Sequence, residues 1–339
     1  MKCFLSLLTV LCTVTLMAGD TYDFPGYPAV KGRRTGFFHT EKHGETWWII
    51  DPNGHGYLLL GVNQVSHKGP KAPGEKPEET YDYWTQKKYP SIDAFVRATA
   101  ERLKKWGFTA AGSGFIPQPQ TYYRNYIPYT IMLKVMPSFY REGDDYLLYD
   151  ANSWHDVANV FHPEWPAHCQ QLAEKMCAPN RNNPYLIGYF LDNERAWAGL
   201  DGLLMQAWSK PPQHSAKQKF VEIARNHFPG IEAFNQAWHT RFKTFDELAV
   251  STRPKHALTP AAKAMAEDFL RQFAVRYFKT IRDAVRRVDP NHMLLGMRQN
   301  AHGSVHPVVW REMGRYCDII TLNYYPVIHP ERGVQQSHI

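Results

Sequence analysis

The stretch that most constrains this chain is Gly188-Tyr189-Phe190-Leu191-Asp192-Asn193-Glu194, an apolar run that ends abruptly in three polar residues. Tyr185 to Leu191 reads as a buried strand, since a short apolar run bounded by turn residues suits a strand covered on both faces. Asp192, Asn193 and Glu194 then stand where that strand emerges at its C-terminal end. A turn cluster, Pro179-Asn180-Arg181-Asn182-Asn183-Pro184, launches it.

The rest of the chain builds on the same unit. Gly36-Phe37-Phe38-His39-Thr40 and Thr46-Trp47-Trp48-Ile49-Ile50 predict a hairpin, and Asp51-Pro52-Asn53-Gly54 turns into strand one, Gly56 to Asn63. Ser91 caps a helix to about Trp106, with Ile92, Phe95, Val96 and Leu103 at helical spacing. Thr109 to Ser113 and Tyr129 to Met136 are strands two and three, and a helix from Pro163 to about Met176 precedes strand four, Tyr185 to Leu191. Helical segments at Lys217 to Phe228, Gly230 to Trp238 and Phe245 to Val250 then interrupt the rhythm. In a long helix from Pro260 to Val288, Met265, Phe269, Phe273, Tyr277, Ile281 and Val285 recur every four residues. Strand five, Met293 to Met297, ends in Arg298. A short helix around Val308 to Met313 leads to strand six, Cys317 to Leu322, which ends in Asn323-Tyr324-Tyr325-Pro326.

Alternating strand and helix predicts a parallel α/β fold. No glycine-rich phosphate loop follows strand one, which favours a barrel over a dinucleotide-binding sheet. The expected class is α/β, a (β/α)8 TIM barrel plugged at its bottom by the hairpin, with a helical insertion at 200–256 after strand four. Six strands stand where a closed barrel needs eight. The barrel is therefore expected to be truncated after the sixth, leaving strands one and six with bare edges and the polypeptide prone to aggregate.

Met1-Lys2-Cys3, the apolar run from Phe4 to Met17 and the small pair Ala18-Gly19 describe a secretory signal peptide over 1–19. Residues 20–56 would then be an N-terminal segment with the hairpin, and 57–339 the incomplete barrel of a secreted or periplasmic protein. No later stretch approaches the roughly 18 unbroken apolar residues of a membrane span. At 44% hydrophobic and 21% charged residues, the composition is that of a globular chain rather than a disordered one. Cys169, Cys177 and Cys317 form neither a disulfide framework nor a zinc spacing. No His-Glu-x-x-His pairing occurs, and Gly112-Ser113-Gly114 lacks the surroundings of a nucleophile elbow. No metal or cofactor is implied. The net charge of +7 is compatible with a sulfated or acidic polysaccharide partner and equally with simple solubility. Lys and Arg are spread rather than clustered, which gives no footprint for nucleic acid.

Leu191-Asp192-Asn193-Glu194 after strand four, with Asn323-Tyr324-Tyr325-Pro326 after strand six, resembles the retaining glycoside hydrolases of the clan A superfamily, whose fourth strand ends in an Asn-Glu pair. Phe220-Val221-Glu222 through Phe234-Asn235-Gln236-Ala237-Trp238-His239-Thr240-Arg241-Phe242 resembles the insertion after strand four in family 42 β-galactosidases and family 50 β-agarases. Trp47-Trp48-Ile49-Ile50-Asp51-Pro52-Asn53-Gly54 through Gly61-Val62-Asn63 is more similar to the agarase group.

The resemblance implies an enzyme that cleaves galactose-containing poly- or oligosaccharides with retention, with Glu194 as acid/base and Asn193 on the sugar's 2-hydroxyl. Elementary chemistry asks for the same residue types. Retaining cleavage needs two carboxyl groups about 5 Å apart, one protonating the leaving oxygen and one attacking the anomeric carbon. Asn63 and Arg298 at strand tops, Trp197 just after the pair, and Asn323 with Tyr325 on one side of strand six are the candidate substrate-binding residues. Plainer readings compete: an ion pair with Arg195 or another basic group for Glu194, a loop turn for Asn323 and Tyr325, core packing for Trp197. In the clan the nucleophile is a Glu ending strand seven. Glu331 is the acid that follows strand six, but it sits in Pro330-Glu331-Arg332-Gly333 with no apolar strand before it. The nucleophile is thus expected beyond Ile339 or on another chain that completes the barrel, and a catalytically inactive carbohydrate-binding remnant is the competing function.

Overall fold

A computed structural model describes residues 23–69, 74–112, 123–140, 145–150, 155–257, 259–300, 305–324, 327–329 and 333–335. The expected signal peptide at 1–19, Tyr325 and Glu331 lie outside these residues.

Strands β1 (Tyr27–Lys31), β2 (His39–His43), β3 (Thr46–Ile50) and β4 (His55–Tyr57) form an antiparallel sheet in the order β1-β4-β3-β2. The β2–β3 hairpin is the expected one. Asp51 shapes the turn into β4, its Oδ1 accepting from the amides of Asn53 (2.8 Å) and His55 (2.9 Å). Gly54 completes that turn at φ +88°, which a side chain would strain.

Next come β5 (Gly61–Val62), β6 (Ala110–Ala111), β7 (Tyr129–Met132), a small antiparallel pair β8 (Leu147–Tyr149) and β9 (Val157–Ala158), then β10 (Leu186–Phe190), β11 (Met293–Leu294), β12 (Gln299–Asn300) and β13 (Leu322–Asn323). β5, β6, β7, β10 and β11 pair in that order as a parallel sheet, and β12 pairs in parallel with β13. Within the five-stranded sheet each strand lies beside the next parallel one in sequence. That is the winding of a barrel; a dinucleotide-binding sheet reverses its order in the middle.

The helices are α1 (Tyr81–Lys88), α2 (Ile92–Lys105), α3 (Trp165–Met176), α4 (Gly202–Ser209), α5 (Ser215–His227), α6 (Ile231–Trp238), α7 (Phe245–Val250), α8 (Pro260–Val288) and α9 (Pro307–Tyr316). Ser91 and Thr259 cap α2 and α8 by accepting the amides of Ala94 and Ala262. The four-residue repeat of α8 is buried along its length, from Met265 to Val285. Helices α4 to α7 form the insertion after β10 around an aromatic knot, in which Trp208 stacks on Phe220 (5.1 Å) and meets Trp238 edge-on (5.6 Å). Lys217 ties the knot: its buried Nζ donates to the carbonyls of Trp208 and Ser251, and burial pushes the ammonium down to about 8.

Phe38, just before β2, and Tyr57 of β4 pack on Ala110, Ile187 and Met293, so this sheet covers the starts of β6, β10 and β11. The opposite, C-terminal ends of the strands are left for the site.

Several strands are shorter than the sequence suggests, each for a local reason. Strand one is divided: His55–Tyr57 joins the antiparallel sheet, the Leu60 amide turns back onto the Leu58 carbonyl (3.0 Å), and Gly61–Val62 enters the parallel sheet. Strand three ends at Met132 because Lys134 adopts φ +57°, and strand five at Leu294 because Gly296 adopts φ +74°. In strand six the amides of Asp318 and Ile319 are both spent on the Leu294 carbonyl, so the ladder forms only at Leu322–Asn323. Among the described residues β5 pairs only with β6 and β13 only with β12. Beside these two edges Leu58, Leu60 and Ile320 are about half exposed. No helix among the described residues is long and apolar enough to cross a membrane.

Candidate active site

β10 carries the site, and Gly188 lets it sit where it does. A Cβ on Gly188 would lie 2.3 Å from the Met293 carbonyl oxygen, so only glycine permits this approach of β10 to β11. Beyond Phe190 the parallel ladder continues. The Leu191 amide donates to Gly296 O (2.9 Å), the Arg298 amide to Asp192 O (3.0 Å) and the Glu194 amide to Arg298 O (2.8 Å). The polar triplet is therefore held by backbone pairing and not left as a loose loop.

Asp192 turns into the protein. It is fully buried, and its Oδ2 accepts from the Met136 amide (3.0 Å) and the Tyr277 hydroxyl (2.7 Å) on α8. Burial pushes its carboxyl up to about 6, partly offset by the charge of Arg195 and by these hydrogen bonds.

Glu194 is half-buried and sits at φ +47°, a left-handed conformation that is uncommon outside glycine. Its backbone is clamped from the segment before β9. His155 Nδ1 lies 2.5 Å from the Glu194 carbonyl oxygen and so carries the proton, and the Ala196 amide donates to His155 O (3.0 Å). Arg195 Nη1 donates to the Asp156 carbonyl (3.1 Å), which also takes the Tyr140 hydroxyl (2.5 Å).

The side chain of Glu194 meets β13. Asn323 Nδ2 donates to Glu194 Oε1 at 2.6 Å and to Asn193 Oδ1 at 3.1 Å. These bonds fix each other's direction. A carboxylate only accepts, so Asn323 must present its NH2 group, and Asn193 must then present its oxygen. The Asn193 NH2 is left buried without a partner among the described residues. Among the described residues neither Arg195 nor another basic side chain lies within ion-pair distance of Glu194, unlike the strand-end ion pair that competes as a reading of that carboxylate.

The other expected site residues are placed differently. Arg298 is brought alongside Asn193 by the backbone bridge, with its guanidinium 5.8 Å from the Phe190 ring. Asn63 is exposed just past β5, with its Oδ1 so close to Gly112 that a Cβ there would lie 2.3 Å away, and it does not join the Asn193–Asn323–Glu194 bonds. Trp197 is buried. It stacks on Phe278 (5.9 Å, 12°), and its Nε1 is 3.4 Å from Met297 Sδ, so its ring packs with α8 rather than lining an open cleft. His155 and the Asp192–Tyr277 pair are supports that sequence reasoning missed. His155 lies 39 residues before its partner, with no local pattern to announce the contact. Among the described residues no group of three or more His, Cys, Asp or Glu side chains is placed to hold a metal.

A parallel barrel winding, with a Glu presented at a strand mouth beside two amide side chains, is the arrangement of a glycoside hydrolase. Residues 151–338 match the family model Glyco_hydro_42, described as Beta-galactosidase, and the chain belongs to that family. Beta-agarase B of Vibrio sp. (strain JT0107) is 25% identical over 364 residues, which cover 88% of this chain and 37% of the relative. Beta-agarase A of the same strain is 25% identical over 276 residues, covering 76% of this chain and 27% of the relative. The chain thus spans well under half the length of these curated relatives. Among solved structures, an exo-beta-agarase superposes with a TM-score of 0.72 at 20% identity, over 87% of this chain and 51% of that one. A crystal structure of an agarase, AgWH50C, gives 0.71 at 20% identity, over 89% and 50%. These likenesses establish a shared fold.

Proposed function

We propose that this chain supplies the acid/base half of a retaining glycoside hydrolase that acts on galactose-containing poly- or oligosaccharides, with Glu194 as proton donor. The observation that supports it is the pair of bonds made by the Asn323 amide. They hold Glu194 Oε1 at 2.6 Å, leaving Oε2 for the glycosidic oxygen, and they leave the Asn193 NH2 without a partner beside it. A buried donor with no partner costs on the order of 1–3 kcal/mol unless something else accepts from it. A sugar 2-hydroxyl answers that need, and such a contact strengthens as the oxocarbenium-like transition state develops.

Retention also requires an attacking carboxylate about 5 Å from the donor. In this reading that group belongs to no described residue. The names of the relatives, β-agarase and β-galactosidase, motivate a galactoside substrate, and the segment at 1–19 motivates export. The test is Glu194→Gln in the natural gene product that carries this sequence, assayed on agarose oligosaccharides and aryl β-galactosides. Turnover of the oligosaccharides and of aryl galactosides with poor leaving groups should disappear while oligosaccharide binding persists. Retained turnover of these substrates would sink the assignment; binding without turnover in the unmutated protein would favour a carbohydrate-binding protein instead.

A further inference from the structure

Away from the strand mouths, a groove of about 700 Å3 runs along the outer face of α8, walled by the start of α3 and by α5. Gln272, Arg276, Thr280, Asp283 and Arg287 line it at spacings of three or four residues, so they form one row along the helix. Arg276, one turn into the row, and Arg287 at its C-terminal end stand about 16 Å apart at the usual helical rise.

The charges in this groove are not equivalent. Lys219 is engaged by Glu222 at 2.7 Å and Lys279 by Asp283 at 2.5 Å. Arg271 is likewise engaged, by Asp268 at 2.6 Å, whereas Arg276 and Arg287 face no carboxylate within ion-pair distance among the described residues. Each is anchored through Nε instead, Arg276 to the Val160 carbonyl (3.3 Å) and Arg287 to Gln170 Oε1 (2.8 Å). Anchoring through Nε fixes the plane of a guanidinium and presents its terminal nitrogens outward. That fork matches the oxygens of a sulfate or carboxylate better than a mobile ammonium does. Pro163 and Pro166 on the far wall hold the groove open with rings that have little freedom to collapse into it.

We propose that this groove is a second saccharide site, separate from Glu194, that binds a galactan segment carrying sulfate or carboxylate groups. The choice of galactan rests on the function proposed above, whereas the preference for an anion rests on Arg276 and Arg287 alone. A ligand of several sugar units lying along α8 would meet two fixed cations about three turns apart in the row. Anchoring of polymer on the outside of the barrel would raise its concentration near the strand mouths without any contact to the reacting bond.

The experiment is calorimetric titration of the full chain with a sulfated galactan oligosaccharide and with its desulfated counterpart, at low and high salt. The sulfated ligand should bind at least about tenfold more tightly, and the gap should narrow as salt rises. Arg276→Gln/Arg287→Gln should weaken sulfated binding about tenfold and flatten its salt dependence, with aryl β-galactoside turnover unchanged when the same changes are made in the natural gene product that carries this sequence. Arg287→Gln alone, at an exposed position, should give part of that loss at an unaltered melting temperature, which guards against a folding defect in the double variant. Undiminished binding by the double variant, equal binding of the desulfated ligand, or equal competition by polyphosphate or DNA would each overturn the proposal. A failure of the Glu194 assignment would show only in turnover and leave these titrations as they are.

Discussion

Asp192 and Glu194 are two residues apart on one strand end, and their surroundings differ in almost every respect. Asp192 is fully buried, with one carboxyl oxygen consumed by a backbone amide and a tyrosine hydroxyl. Glu194 is half-buried on a strained backbone, held by one amide side chain and clamped from behind by His155. The contrast separates a carboxylate that fastens the strand to α8 from one that is held in position with an oxygen to spare. Stability should depend on the first and chemistry on the second.

Predictions that break or sharpen this contrast run from large to small. Asp192→Ala strands the Tyr277 hydroxyl and the Met136 amide in the core and should cost about 3–5 kcal/mol, read as a lower urea midpoint. The same carboxyl makes stability depend on pH. Its folded value of about 6 lies above an unfolded value near ~3.9, so the folded state holds the proton more tightly. The stabilisation is fully present below pH ~4 and declines as pH rises towards 6, by on the order of 1–3 kcal/mol. Denaturant titrations across that range should show the decline, and Asp192→Asn should flatten it. Asn323→Ala should lower kcat about tenfold or more by releasing Glu194 Oε1, with little change in melting temperature. A large stability loss instead would make Asn323 a structural residue. Smallest is Glu194→Gly, which relieves the left-handed backbone and should leave stability equal or raised by up to about 1 kcal/mol while turnover is lost.

How much of this was legible in the sequence depended on whether side-chain pattern or backbone geometry decided the outcome. The α8 boundaries, Pro260–Val288, could be read directly because one apolar stripe runs from a Pro at its start to Asp289-Pro290 at its end. β10 was legible for a similar reason, as a short apolar run between turn residues. α4 escaped notice because its apolar residues are buried all round by the insertion, so no stripe marks it. α1 escaped because its aromatics Tyr81, Tyr83 and Trp84 stay exposed and only Thr85 is buried. Strand ends were set by left-handed turns at Lys134 and Gly296, which apolar spacing does not report. At the site, Asn193, Glu194 and Asn323 were recognisable from their places at strand ends. The roles of His155 and Tyr277 arise from long-range packing that one sequence does not display.

The most direct test of the central claim, that Glu194 donates the proton, is kcat/KM for Glu194→Ala across aryl β-galactosides of graded leaving-group acidity, with and without azide. A proton donor is dispensable when the leaving group departs unaided. The variant should therefore approach the parent on the most acidic phenols, fall away steeply on poor leaving groups, and form β-galactosyl azide when azide is present. An equal loss on every substrate, with no azide product, would contradict the account.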